Sequence, residues 1–230
     1  MSNGDDYRIM KRIAAGALAL VAVGGLVGCT PSSQDEKPAA AASKAVVKHF
    51  GPAGWGKLTI GMAEPDALAT GDLQTAPIST VLGENVYSFV GGPKPDPKRM
   101  AADEAIEKRV AQADKLPKDA SAAESAKAAQ AYADSAQRIA DRMTAYLTAG
   151  GASFRAGSLT SIAAPKDATT ESGVKRGSTL AEVKAAYQAQ GLTNSSKSVY
   201  QLPVTGHDDW RLQFEFEGDT VAYLTLVKIK

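Results

Sequence analysis

Apolar positions along this chain follow several rhythms, and the rhythms mark its segments. The first is an unbroken run from Ile13 to Val27, rich in Ala, Gly and Val and preceded by Arg8, Lys11 and Arg12. At about 15 residues it is shorter than the roughly 20 a spanning helix needs. A basic start, an apolar centre and small residues at the end form the pattern of a secretory signal. Thr30 to about Ala42 then carries no large apolar residue. Such a segment gains too little from burial to offset its ordering entropy, so it predicts a flexible tether.

From Val46 onward the pattern becomes that of a folded domain. Lys57 to Ile60 predicts a short strand, and Pro65 with Gly71 frames a short helix. Asn85 to Val90 predicts another strand, and the run Gly91 to Pro97 breaks it. Residues 97–149 then contain no glycine and change to helical spacing. Met100, Ile106, Val110 and Ala113 share one face, with Glu104 and Lys108 paired four apart. Pro117 ends that helix, and Ser121 with Glu124 forms a capping box that opens a second. Its stripe is Tyr132, Ala136, Ile139, Met143, Tyr146 and Leu147, with Asp134 and Arg138 expected to pair on the opposite face. The segment reads as two antiparallel helices with one thin apolar seam. Glycine pairs Gly91-Gly92 and Gly150-Gly151 read as joints at its ends.

Strand-like alternation returns at Ala152 to Ala164, anchored by Phe154, Leu159 and Ile162. Thr179 with Glu182 is another capping box, opening a helix that should stop at Gly191. Three strands close the chain: Val199 to Val204, Trp210 to Phe216, and Thr220 to Ile229, with Glu217-Gly218-Asp219 as a turn. The last is apolar on both parities, which predicts a central position.

Composition narrows the partners. The chain holds 26 basic and 25 acidic residues among 230, a formal charge of +1. Without residues 1–28 the two signs balance. A neutral, mixed surface argues against nucleic acid, which needs a basic face. Cys29 is the single cysteine. It excludes an internal disulfide and every cysteine-based metal site, so an exported domain must be stable by its core alone.

Cys29 closes the tetrad Leu26-Val27-Gly28-Cys29. This resembles the lipobox of bacterial lipoproteins, in which the cysteine is acylated and the chain is cut just before it. The resemblance implies cleavage after Gly28, acyl chains on Cys29, and a lipid-anchored location facing outside the cytoplasm. Two or more chains suffice for stable anchoring, at about 0.8 kcal/mol per buried methylene. Further on, Ile60-Gly61-Met62 and Arg176-Gly177-Ser178-Thr179 each place a glycine before a short helix, followed by a strand-rich segment. The two units are similar to the tandem repeats of the β-lactamase inhibitor proteins and of similar small envelope lipoproteins. That family implies short helices on one curved antiparallel sheet. The repeats here lack the family's Met-Thr/Ser pairing after the glycine and its cysteines, and residues 97–149 have no counterpart in it.

Candidate chemistry is sparse. His207-Asp208-Asp209 is the one cluster of acid/base or metal-binding groups, and its plainer reading is a polar turn between strands. No serine sits in a Gly-x-Ser-x-Gly elbow. Trp55 and Trp210 read first as core or edge packing.

The resulting expectation is an α+β domain of two related halves, short helices on a curved antiparallel sheet, with an inserted helical hairpin. Its segments are a cleaved signal (1–28), a lipidated cysteine and tether (29–45), a first half (46–96), the hairpin (97–150) and a second half (151–230). The expected function is a non-enzymatic cell-surface binding module for an envelope protein or component, with no cofactor, metal or catalytic residue. Its candidate binding surface is Trp210, Arg211, Gln213 and Tyr132. The alternatives are an inhibitor that plugs an enzyme cleft, or an envelope hydrolase using His207 with Asp208 or Asp209. The hairpin reads equally as a lid on the sheet or as an arm that meets a partner.

Overall fold

Glycine at positions 61 and 177 starts both halves of the domain in the same way. In the computed structural model, which describes residues 48–229, these two residues hold φ of +86° and +83°, a region that disfavours a side chain. Each turns the chain into a short helix, α1 (Glu64–Ala69) and α4 (Leu180–Tyr187). Four strands follow each helix: β1 (Ser79–Val81), β2 (Glu84–Ser88), β3 (Gly151–Arg155) and β4 (Ser158–Ala163), then β5 (Thr193–Ser196), β6 (Val199–Val204), β7 (His207–Glu217) and β8 (Thr220–Lys228). All pair antiparallel in one eight-stranded sheet of order β1-β2-β3-β4-β8-β7-β6-β5. This is the α+β architecture that the alternating patterns predict.

The halves are wired identically. Gly61 N donates to Leu159 O, and Gly177 N to Val221 O, both at 2.8 Å. Leu159 N donates to Met62 O, as Val221 N does to Ser178 O. Glu64 N donates to Gly157 O, as Leu180 N does to Asp219 O. The halves meet where β4 pairs β8, and Ala163 lies opposite Thr225, its own equivalent. A pseudo-twofold axis therefore passes through that pair.

The hairpin of α2 (Pro97–Ala113) and α3 (Ala122–Ala149) interrupts the first half, between β2 and β3. The expected boundary, with the hairpin between the halves, is corrected here. β2 pairs β3 across the whole insertion, with Ser88 opposite Gly151. The equivalent connection in the second half is Thr205-Gly206 alone, since Val204 pairs His207. A pairing that skips so many residues leaves no local trace in the sequence.

The sheet's two faces differ. One carries Phe154, Leu159, Ile162, Leu212, Phe214, Leu224 and Leu226, all buried against α1 and α4 through Ala67, Val183 and Tyr187. Burying a large apolar side chain contributes about 1.5–3 kcal/mol, so this face supplies most of the stability. The other face is mainly polar. It holds a small second cluster, Ile78, Val86, Ala163 and Tyr146, formed where α3 crosses it. β8 lies between β4 and β7, as its two-sided apolar pattern predicts.

Several local expectations change. Lys57–Ile60 is no strand; Trp55 and Leu58 exchange backbone hydrogen bonds at 3.0 and 2.9 Å and close a turn that buries Leu58. Both edge strands, β1 and β5, are additional to the predicted set; β5 is the wholly polar Thr-Asn-Ser-Ser. The turn before β7 is confined to Thr205-Gly206, and His207–Asp209 already belong to the strand. Leu26, Val27, Gly28 and Cys29, with the signal and tether segments, lie outside the described residues.

Candidate functional site

The hairpin is held by polar rungs as well as by the thin, half-buried apolar stripe that its spacing predicts. Arg142 makes a bidentate pair with Asp103 at 2.7 and 3.0 Å. Arg138 pairs with Glu107 and Arg109 with Asp134, both at 2.8 Å. Tyr132 Oη donates to Asp114 at 2.8 Å. Asp103, only 7% exposed, is the most buried residue of α2, and the expected stripe Met100, Ile106, Val110 and Ala113 is half-buried beside it. Hydrogen bonds to the Asp103 carboxylate hold the Arg142 guanidinium above its usual range. Asp134 and Arg138 do not pair with each other, since each finds a better-placed partner across the seam. The Glu104–Lys108 pair forms as predicted, at 2.7 Å.

One end of the hairpin is clamped to the sheet. Arg138, 5% exposed, donates to Thr80 O, and Arg99 donates to Ile78 O at 2.6 Å. Tyr146 shares a hydrogen bond with Ser161 at 2.9 Å. Burial drives the Tyr146 phenol well above its ordinary pKa. Arg176, just ahead of α4, donates to the carbonyls of Leu147, Thr148 and Ala164. Its charge thus sits at the C-terminus of α3, where the helix dipole favours a cation. The guanidinium also lies over the Tyr223 ring, 5.3 Å from its centre. Gly151 is required where the insertion rejoins the sheet, because a Cβ there would lie 2.2 Å from Tyr87 O.

α3 crosses the polar face over β1, β2, β4 and β8, and ends its cover beside β7. The boundary is a groove of about 440 Å³. Arg142, Met143, Tyr146 and Leu147 form its helical wall; Ser153, Ser161, Gln213, Glu215 and Thr225 belong to its sheet side; Val81 and Leu82 stand at the β1–β2 turn. Glu84 pairs with Arg155 and accepts a hydrogen bond from Ser153. Leu82 is 70% exposed and Met143 48%. Leu82 also holds φ of +51° in the two-residue turn before Gly83, a position that Asn or Gly normally takes. A branched side chain in that region carries local strain.

The sequence-derived surface does not assemble. Trp210 lies on the core face of β7, partly buried against the main cluster, while Gln213 of the same strand lines the groove. Arg211 is committed to its own strand, donating to the carbonyls of Asp208 and Trp210 at 2.7 Å each. It closes the bulge where β6 passes from Pro203 to Val204. Tyr132, 45% exposed, sits on the hairpin and braces Asp114. Only Gln213 lines the groove. Nothing in the sequence linked it to Met143 or Leu82, because helix, turn and strand meet there only through the sheet's pairing. His207 stacks face to face on Trp210, 3.6 Å between ring centres, and neither Asp208 nor Asp209 orients it by a hydrogen bond; Asp209 pairs with Lys228 instead.

Among the described residues no group of three His, Cys, Asp or Glu side chains could hold a metal, and no helix is long and apolar enough to cross a membrane. No family model, curated protein or solved structure matches this chain.

Proposed function

We propose that the protein is a lipid-anchored, non-enzymatic binding module of the cell envelope that docks a protein partner in the groove between α3 and the polar sheet face. The observation that carries this reading is the placement of the insertion. The second half closes the same connection with two residues, so the sheet does not need the hairpin. What the hairpin adds is a wall beside an open polar face, with exposed apolar side chains at its edge. Apolar anchors within a polar rim are what protein interfaces use. The anchor itself rests on the lipobox-like tetrad ending at Cys29.

Two experiments test the reading. Photoreactive side chains placed along α3 and on β7 of the full-length chain, irradiated in intact cells, should yield one recurrent adduct from the groove positions; background labelling alone sinks the binding reading. Metabolic labelling with an alkyne fatty acid should tag the wild type and not Cys29→Ser. A label that survives the substitution overturns the anchor. The matching wiring of the halves supports the inhibitor-like alternative, in which the partner is a secreted hydrolase. That reading requires the adduct to be an enzyme whose turnover falls as it is saturated.

A further inference from the structure

Two of the four exposed large hydrophobic side chains among the described residues, Leu82 and Met143, line the same groove. The charges in that groove are unevenly satisfied. Arg142 is neutralised by Asp103, and Arg155 by Glu84. Glu215 also lines the groove, half-buried on β7 between Val199 and Tyr223, and makes no ion pair or hydrogen bond among the described residues. A carboxylate partly removed from water and lacking a cation loses solvation without compensation until one arrives.

We infer that the groove's occupant is a segment of a partner protein carrying a lysine or arginine beside a large apolar residue, the cation meeting Glu215 and the apolar side chain packing between Met143 and Leu82. The inference rests on the binding reading above and adds the chemistry of the partner. An acidic segment is disfavoured, because it would face an uncompensated Glu215 while both arginines are already engaged. The strained Leu82 fits this role. A turn built for stability alone would carry Asn or Gly, and Leu serves there only as apolar surface.

The test uses the full-length chain in cells, with a diazirine side chain at position 143 and, separately, at position 132 on the distal hairpin. Each is combined with Glu215→Gln and Glu215→Lys. The 143 adduct should fall about tenfold with Glu215→Lys, the change a partly desolvated charge pair is worth. Glu215→Gln, which preserves shape and folding, should reduce it less, and the partner peptide on the adduct should carry Lys or Arg within a few residues of the cross-link. An adduct at 143 that is indifferent to both substitutions, or whose peptide is acidic, overturns the inference while leaving the binding reading in place. Adducts formed only from position 132 place the partner elsewhere and overturn it too. No adduct from either position overturns both.

Discussion

Single residues carry the least expected chemistry. Arg176 joins three backbone carbonyls, two from α3 and one from Ala164 just after β4, with one guanidinium, and burial pulls its pKa below the usual arginine range. Hydrogen bonds to a charged group contribute about 1.5–3 kcal/mol. Arg176→Ala should therefore cost about 2–3 kcal/mol in urea unfolding, and Arg176→Lys nearly as much, since an ammonium lacks the planar fork. Leu82 predicts the opposite sign. Leu82→Asn should stabilise the domain by about 1 kcal/mol by relieving the left-handed strain, while weakening partner capture. A stability gain with capture unchanged would remove Leu82 from the interface. Tyr87 supplies a pH dependence. Burial, and then its hydrogen bond to the Glu64 carboxylate, push its pKa to about 12. The unfolded phenol ionises near 10, so between about pH 10 and 12 the folded state holds the extra proton and stability falls as pH rises. Urea midpoints across that window should drop for the wild type and drop less steeply for Tyr87→Phe.

At the scale of elements, local signals and tertiary partners divide the work. Both capping boxes form as the sequence predicts: Ser121 with Glu124, and Thr179 with Glu182. They depend on residues three apart and nothing else. Their consequences differ because their surroundings do. α4 packs Val183 and Tyr187 into the main core, so Thr179→Ala should lower global stability by about 1 kcal/mol. α3 begins far from its sheet contacts. From Ala122 to Arg138 it runs about 24 Å at 1.5 Å per residue before its first recorded hydrogen bond to the sheet. Ser121→Ala should therefore speed amide exchange in the first turns of α3 and leave the unfolding midpoint nearly unchanged. The hairpin is thus clamped to the sheet at one end, through Arg99, Arg138 and Tyr146, and braced by its own rungs at the other. A helical wheel could not show this, because its rungs are made by Asp103, Glu107, Arg138 and Arg142, residues that single-helix reasoning assigns to solvent.

Over the whole molecule, the two wired halves explain why a long insertion is tolerated. Ser88 Oγ donates to Pro93 O at 2.5 Å, and Ser88 lies opposite Gly151, so the two ends of the insertion are close together. Replacing residues 96–149 by a short glycine linker should leave the eight-stranded sheet intact by amide NMR. It should cost a few kcal/mol, because Ile78, Val86 and Ala163 lose the cover of Tyr146 and Leu147. Partner capture should be lost. A deletion that unfolds the sheet would make the hairpin structural and undercut the binding reading.

The pattern of apolar and polar positions by itself determined the α+β class, the helix starts, the strand anchors Phe154, Leu159, Leu212 and Phe214, and the central place of β8. These follow from periods of 2 and 3.6 and from capping chemistry, which act over a few residues. Only the tertiary structure decided that the hairpin divides the first half, that Trp210 and Gln213 belong to different surroundings, that Arg138 and Arg142 reach across to α2, and that Leu82, Met143 and Glu215 line one groove. Those facts depend on strand pairing across an insertion of more than fifty residues. Such pairing is set by the burial of a whole sheet face, a sum over the entire chain that no local window contains.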